Sequence, residues 1–231
     1  MKRYRHLFFD LDHTLWDFEA NSRATLNELY TELDLANKGV EKVEEFIEVY
    51  EEVNAGLWQR YEAGQIEKAV LRVLRFRNTL VRFGVRNDRL STQLGHAYIE
   101  RCPQRTALSP GAREMLDAVR KDHRIHIITN GFDEVQHVKV RCSGLGPYID
   151  VMLTSEKAGA RKPDARIFEV AMKKAGATVN ESLMIGDMQA TDILGARGVG
   201  MDQAHYAAPE KADPEATIRF AHFDELAVLL G

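Results

Sequence analysis

From residue 109 onward short apolar runs alternate with amphipathic stretches, and that rhythm limits the possible folds more than any other feature of the chain. Ile125 to Thr129, Val151 to Thr154 and Leu183 to Ile185 are predicted strands. Asp133 to Cys142, Asp164 to Ala175 and Ala190 to about Arg197 are predicted helices between and after them. Ser109-Pro110-Gly111 reads as a helix start, with Ser109 as N-cap and Pro110 at the first helical position, and the helix runs to about Lys121. Met201 to Tyr206 reads as a further strand and Phe223 to Leu230 as a closing helix. Alternation of this kind implies a parallel sheet with helices on both faces. The first strand lies far upstream, where Leu7-Phe8-Phe9 runs into Asp10-Leu11-Asp12. Residues i and i+2 of a strand share a face, so Asp10 and Asp12 are expected to face one spot. Two carboxylates at the end of an apolar strand are costly to desolvate and are tolerated mainly where a cation or catalysis uses them.

Between these regions the texture is helical. Glu41 to Glu52 interleaves glutamates with Val43, Phe46, Ile47, Val49 and Tyr50, an amphipathic helix with an acidic outer face. Glu67 to Phe83 is a basic counterpart carrying Arg72, Arg75, Arg77 and Arg82, which either pairs with the acidic helix or presents a solvated face. Gly39, Gly64 and Gly84 fall where helices should end, and the first proline is Pro103. Residues 17–103 are therefore expected to form an all-helical insertion, and residues 1–16 with 104–231 an α/β core. Trp58 and Tyr61 are read as packing residues of the insertion. Trp16 and Phe18, where the chain leaves the core, are better placed to touch a ligand.

Composition narrows the function. With a net charge of −4 in 231 residues there is no general attraction to nucleic acid or anionic membrane. Cys102 and Cys142 do not make a disulfide framework, which favours a reducing compartment, and Cys142 is read as a core thiol. The basic opening Met1-Lys2-Arg3-Tyr4-Arg5-His6 leads into an apolar run broken at once by Asp10, so neither a signal peptide nor a membrane span is expected. The expectation is a cytoplasmic protein with no membrane and no nucleic-acid partner.

Ligands of parallel sheets sit beyond the carboxyl ends of the strands. The residues found there are Asp10 and Asp12, Thr129-Asn130-Gly131, Arg161-Lys162-Pro163-Asp164, and Gly186-Asp187 followed by Asp192. Carboxylates, a hydroxyl, an amide-rich turn and a lysine suit a phosphate ester held against a divalent cation such as Mg²⁺. Thr129 and the backbone N–H groups of Asn130-Gly131 precede a helix, and helix N-termini favour anions. His13 is read as a neighbour of the site, His123 and His126 as structural, and Gly195, Gly198 and Gly200 as a helix end turning into a strand.

In this order the four segments resemble the motifs of the haloacid dehalogenase superfamily of phosphohydrolases, and the insertion resembles that superfamily's first type of cap. The stretches Trp16-Asp17-Phe18-Glu19-Ala20-Asn21 and Thr129-Asn130-Gly131-Phe132 are similar to its bacterial pyrimidine 5′-nucleotidase branch. The resemblance implies a three-layer Rossmann-like core with an inserted helical cap. It also implies a Mg²⁺-dependent phosphomonoesterase acting through an aspartyl-phosphate on nucleoside monophosphates or other small phosphorylated metabolites. Asp10 would be the nucleophile and Asp12 the acid and base, with a pKa raised so that it starts protonated. Thr129, Asn130 and Lys162 would bind the phosphate. Asp10, the Asp12 carbonyl and Asp187 would bind the metal, with Asp192 acting through water or orienting a neighbour. A phosphomutase of the β-phosphoglucomutase type and a non-catalytic phosphate-binding module are the alternatives. A true dehalogenase needs neither the second aspartate nor a metal, so Asp12 and Asp187 count against it.

Overall fold

A computed structural model describes residues 4–231; the first three residues of the basic opening lie outside it. The chain divides into two compact units, one built from residues up to Phe18 and from Arg105 onward, the other from Glu19 to Gln104.

The first unit is a six-stranded parallel sheet, in the order β3-β2-β1-β4-β5-β6, with helices around it. Its strands are β1 (His6–Phe9), β2 (Arg124–Thr129), β3 (Ile149–Thr154), β4 (Ser182–Gly186), β5 (Asp202–Tyr206) and β6 (Ile218–Phe220). Its helices are α5 (Ala112–Val119), α6 (Asp133–Cys142), α7 (Ser155–Ala158), α8 (Ala165–Ala175), α9 (Leu194–Gly198) and α10 (Phe223–Leu230). The central strands are apolar and buried, as parallel strands covered on both faces must be. Phe8, Ile128, Leu153 and Met184 pack against Ile167 and Phe168 of α8.

Three local expectations are corrected. The helix read from Ser109 begins at Ala112, because Gly111 has φ 76°, which interrupts a right-handed helix. The helix read from Ala190 to Arg197 is a single π turn, Gln189–Ile193, followed by α9. Cys142 is half-buried, whereas Cys102 is buried; neither forms a disulfide. The short elements β6 and α7 were not expected, since neither is long enough to show a period.

The second unit contains α1 (Phe18–Glu32, entered from the first unit), α2 (Val43–Glu62), α3 (Lys68–Arg82) and α4 (Asp88–Arg101). The acidic and basic helices do pair, with Arg82 of α3 2.8 Å from Glu52 of α2. Between the helices the rings of Tyr50, Phe76 and Tyr98 lie 4.9–5.5 Å apart, and the Arg75 guanidinium stacks 4.7 Å over Tyr98. Tyr61 is buried and Trp58 half-buried against it. No helix among the described residues is long and apolar enough to cross a membrane.

A histidine pair lies within the sheet. His6 Nδ1 is 3.0 Å from His126 Nε2, and the Phe8 ring lies tilted 4.7 Å from the His126 ring. Burial, and then His6, lower the His126 pKa from 6.5 to about 4. The unfolded chain therefore takes up this proton first as pH falls. Stability conferred by neutral His126 is complete above pH 6.5 and declines between 6.5 and 4. Urea unfolding should show the wild type losing on the order of 2 kcal/mol more than His126→Gln between pH 7.5 and 4.5, after allowance for solvent screening. Equal losses would exclude this role.

Candidate active site

The register brings the carboxyl ends of the central strands level. Phe9 lies opposite Ile127 of β2 on one side and Ile185 of β4 on the other. β1 is also where the strand order reverses, with β2 and β3 to one side and β4, β5 and β6 to the other. Such a reversal opens a crevice outside the strand ends. Asp10 after β1, Thr129 at the end of β2 and Asp187 after β4 all reach it.

Lys162 joins these elements. Its Nζ lies 2.5 Å from Asp10 Oδ1 and 2.6 Å from Asp192 Oδ1, and all three residues are buried. Asp10, Asp187 and Asp192 each present a carboxylate oxygen within 4.8 Å of the others. The Thr14 hydroxyl donates to Asp187 Oδ1 at 3.0 Å. The π turn after β4 tucks Asp192 inward, where its Oδ2 accepts from the Met188 N–H at 3.1 Å. A Cβ at residue 186 would collide with the Asp192 carboxylate, so this close approach requires Gly186. Asp192 thus meets Lys162 directly, the contact of a residue that orients a neighbour.

Three ionised carboxylates facing one ammonium leave two negative charges in excess. Burial pushes Asp10 well above the usual carboxylate range; Lys162 opposes this, while Asp192 and Asp187 add to it. Burial and then Asp192 raise Asp187. Burial disfavours the Lys162 charge, but Asp10 and Asp192 reverse that and hold it protonated. An all-oxygen donor set with two uncompensated negative charges fits a hard divalent cation.

Asp12 belongs to a different constellation. β1 ends at Phe9, so the strand alternation expected to align Asp12 with Asp10 does not extend that far. Asp12 Oδ1 lies 2.5 Å from Lys139 Nζ, and Oδ2 accepts from Gln136 Nε2 at 2.8 Å. Burial alone would raise its pKa, but the Lys139 charge and the hydrogen bonds from Lys139 and Gln136 outweigh it and hold the carboxyl below its ordinary value. The expectation of a protonated Asp12 is therefore corrected: in the free site it is ionised, because a buried ammonium is aimed at it.

Thr129 is buried, and its Oγ1 accepts from the Gly131 N–H at 3.0 Å and from Gln136 Nε2 at 2.9 Å. Both lone pairs are used, and the hydroxyl proton remains to donate. Asn130 exchanges two hydrogen bonds with the Lys162 backbone, donating to its C=O at 3.1 Å and accepting its N–H at 2.9 Å. It therefore positions the lysine segment. At the start of α6 the Asp133 N–H donates to Glu156 Oε2 at 2.7 Å.

His13 is exposed, with φ 62°, and its ring lies tilted 4.7 Å from that of Phe18. Trp16 is fully buried rather than available to a ligand: its Nε1–H donates to the Arg105 C=O, and its ring lies 4.2 Å from Lys139 Nζ.

The sequence reading missed Gln136, Lys139 and His205. His205 Nδ1 accepts from the Asp213 N–H at 2.8 Å, which leaves Nε2–H to donate to the Asp187 C=O at 3.0 Å. Gln136 and Lys139 could have been found: they fill buried slots at helical spacing with Phe132 and Val140, where apolar residues are the norm. Nothing local marks His205, which reaches Asp187 only through the β4–β5 pairing.

The family model of the haloacid dehalogenase-like hydrolases matches residues 4–200. The chain is 34% identical over 230 residues to pyrimidine 5′-nucleotidase YjjG of Escherichia coli, covering 97% of this chain and 96% of that one. It is 33% identical over 205 residues to pyrimidine 5′-nucleotidase PynA of Streptococcus pneumoniae, covering 88% and 84%. A magnesium-bound crystal structure of YfnB from Bacillus subtilis superposes with a TM-score of 0.86 at 26% identity, over 99% of both chains.

Proposed function

The chain belongs to the haloacid dehalogenase-like hydrolases, and from that premise we propose that it is a Mg²⁺-dependent phosphomonoester hydrolase of nucleoside monophosphates. The observation that carries this reading is the cluster of buried Asp10, half-buried Asp187 and buried Asp192, with Lys162 paired to Asp10 and Asp192. The two pyrimidine 5′-nucleotidases similar over nearly the whole chain support the choice of nucleotides.

Asp10 is the nucleophile. It bonds to phosphorus in line with the leaving oxygen and forms an aspartyl-phosphate. Lys162 and the free Thr129 proton hold phosphoryl oxygens and offset the repulsion between carboxylate and phosphate. Asp10, Asp187 and the Asp12 carbonyl would hold the cation, with Asp192 part of the same carboxylate cluster. When bound, Mg²⁺ supplies the positive charge that the three carboxylates lack and polarises the phosphoryl group. Asp12 passes a proton to the leaving oxygen as the ester bond breaks. Because Asp12 is ionised in the free site, that proton enters with the monoanionic ester, whose second pKa is about 6. Asp12 then takes a proton from water as the water oxygen bonds to phosphorus and the bond to Asp10 breaks. The products are a nucleoside and phosphate. We further propose that the Glu19–Gln104 unit is a cap that discriminates among substrates.

The test is phosphate release from a panel of pyrimidine and purine nucleoside monophosphates and sugar phosphates. Release should require Mg²⁺, vanish with chelator and return on re-addition, and kcat/KM should be highest for pyrimidine nucleotides. Mg²⁺ at a hundred times its Kd should also stabilise the fold by about 2.7 kcal/mol. Turnover undiminished by chelator would overturn the metal assignment. Phosphoryl transfer to a second sugar hydroxyl without phosphate release would identify a mutase.

A further inference from the structure

Two buried cations pair with three of the site's four aspartates. Lys162 takes Asp10 and Asp192, while Lys139 takes Asp12. The second arrangement is built with care. Gln136 and Lys139 stand three residues apart on one face of α6. Lys139 is 4% exposed, its ammonium held against the Trp16 ring, and Gln136 is wholly buried. The two donors of the Gln136 amide are divided between Asp12 Oδ2 and Thr129 Oγ1, which ties the first strand's loop to the end of β2. Each Asp12 oxygen thus has its own donor, and both donors ride on one rigid helix. A buried lysine without a functional need costs desolvation that an apolar residue would avoid.

We infer that Lys139 and Gln136 are positioning residues that fix the Asp12 carboxylate for proton transfer to the leaving oxygen and from the attacking water. Neither touches the phosphoryl group; they act through Asp12. The inference rests on the function proposed above. It separates the two chemical halves of that function by their need for a proton. A nucleoside is a poor leaving group and requires proton transfer in the first half. p-Nitrophenolate leaves without help, so only the second half, the attack of water on the aspartyl-phosphate, needs Asp12.

The experiment is rapid-quench and stopped-flow kinetics with Mg²⁺ on wild type, Lys139→Met, Lys139→Arg and Gln136→Leu. With p-nitrophenyl phosphate, Lys139→Met should release one equivalent of nitrophenolate at a rate within about threefold of wild type. It should then turn over about 100-fold more slowly, with phosphoenzyme accumulating. With a nucleoside monophosphate that burst should be absent and kcat should fall at least about 100-fold. Lys139→Arg should recover a substantial part of the loss, and Gln136→Leu should reproduce the pattern more weakly. A merely structural role would lower the burst and the steady state together for both substrates, which would overturn the inference. So would a Lys139→Met enzyme within threefold of wild type on nucleotides. If Lys139→Met does not fold, Gln136→Leu is judged by whether its burst with p-nitrophenyl phosphate survives while its steady state falls. Failure of the underlying function is distinct, since wild type itself would then form no phosphoenzyme.

Discussion

Asp10→Asn should abolish turnover, by on the order of 10⁴-fold or more, while leaving the protein folded. The loss follows from the position of Asp10, directly beyond β1, paired with Lys162 and inside the carboxylate cluster. Asparagine fills nearly the same volume and cannot form the acyl phosphate. The variant should also melt at a higher temperature than wild type in the absence of metal. Asp10 has a pKa raised in the folded state, so its ionisation destabilises the fold at every pH above its unfolded value. Removing that charge leaves two carboxylates around Lys162, which keeps its contact with Asp192. A gain of about 1 kcal/mol would appear as a rise of roughly 2–4 °C in a chain of this size. Phosphate release within tenfold of wild type would reject Asp10 as nucleophile. A melting temperature several degrees below wild type in chelator would reject the electrostatic account.

Lys162→Met should have the largest effect on stability. It strips the ammonium from Asp10 and Asp192 and leaves three carboxylates facing one another. Breaking a buried pair by removing one partner typically costs about 3–5 kcal/mol. The sign of the pH dependence identifies the cause. Asp10 and Asp187 have folded pKa values above their unfolded ones, so the variant should grow more stable relative to wild type as pH falls from 8 towards 5. Millimolar Mg²⁺ should restore part of the loss at pH 8, because the cation replaces missing positive charge. Urea unfolding at the two pH values, with and without Mg²⁺, measures both. A variant as stable as wild type at pH 8 without metal would show that Lys162 is not the electrostatic keystone of the cluster.

The sheet was largely legible in the sequence because each central strand is a short apolar run ending in a polar turn. Strands β1, β2, β4 and β5 lie within a residue or two of where their patterns put them, and α6 and α10 have the predicted bounds. Legibility failed where a contact between distant segments outweighs the local pattern. Asp12 looks like a partner of Asp10 in a linear motif, yet its carboxylate is claimed by Lys139, 127 residues away. Nothing local shows that the Asn130 side chain exchanges two hydrogen bonds with the Lys162 backbone, 32 residues away. Asp192 lies inside a stretch that reads as ordinary helix, and only the π turn moves its carboxylate into contact with Lys162.

By itself the sequence determined which residue types stand at the strand ends, and with them the α/β class, the helical insertion and the family. Strand periodicity and turn chemistry are local properties, carried by neighbouring residues. The tertiary structure alone decided how charge is shared among those residues. A carboxylate's protonation depends on burial and on which cation lies within a few ångströms, and both are set by strand order and helix packing. That is why Asp10 and Asp12, two residues apart in the chain, are driven in opposite directions.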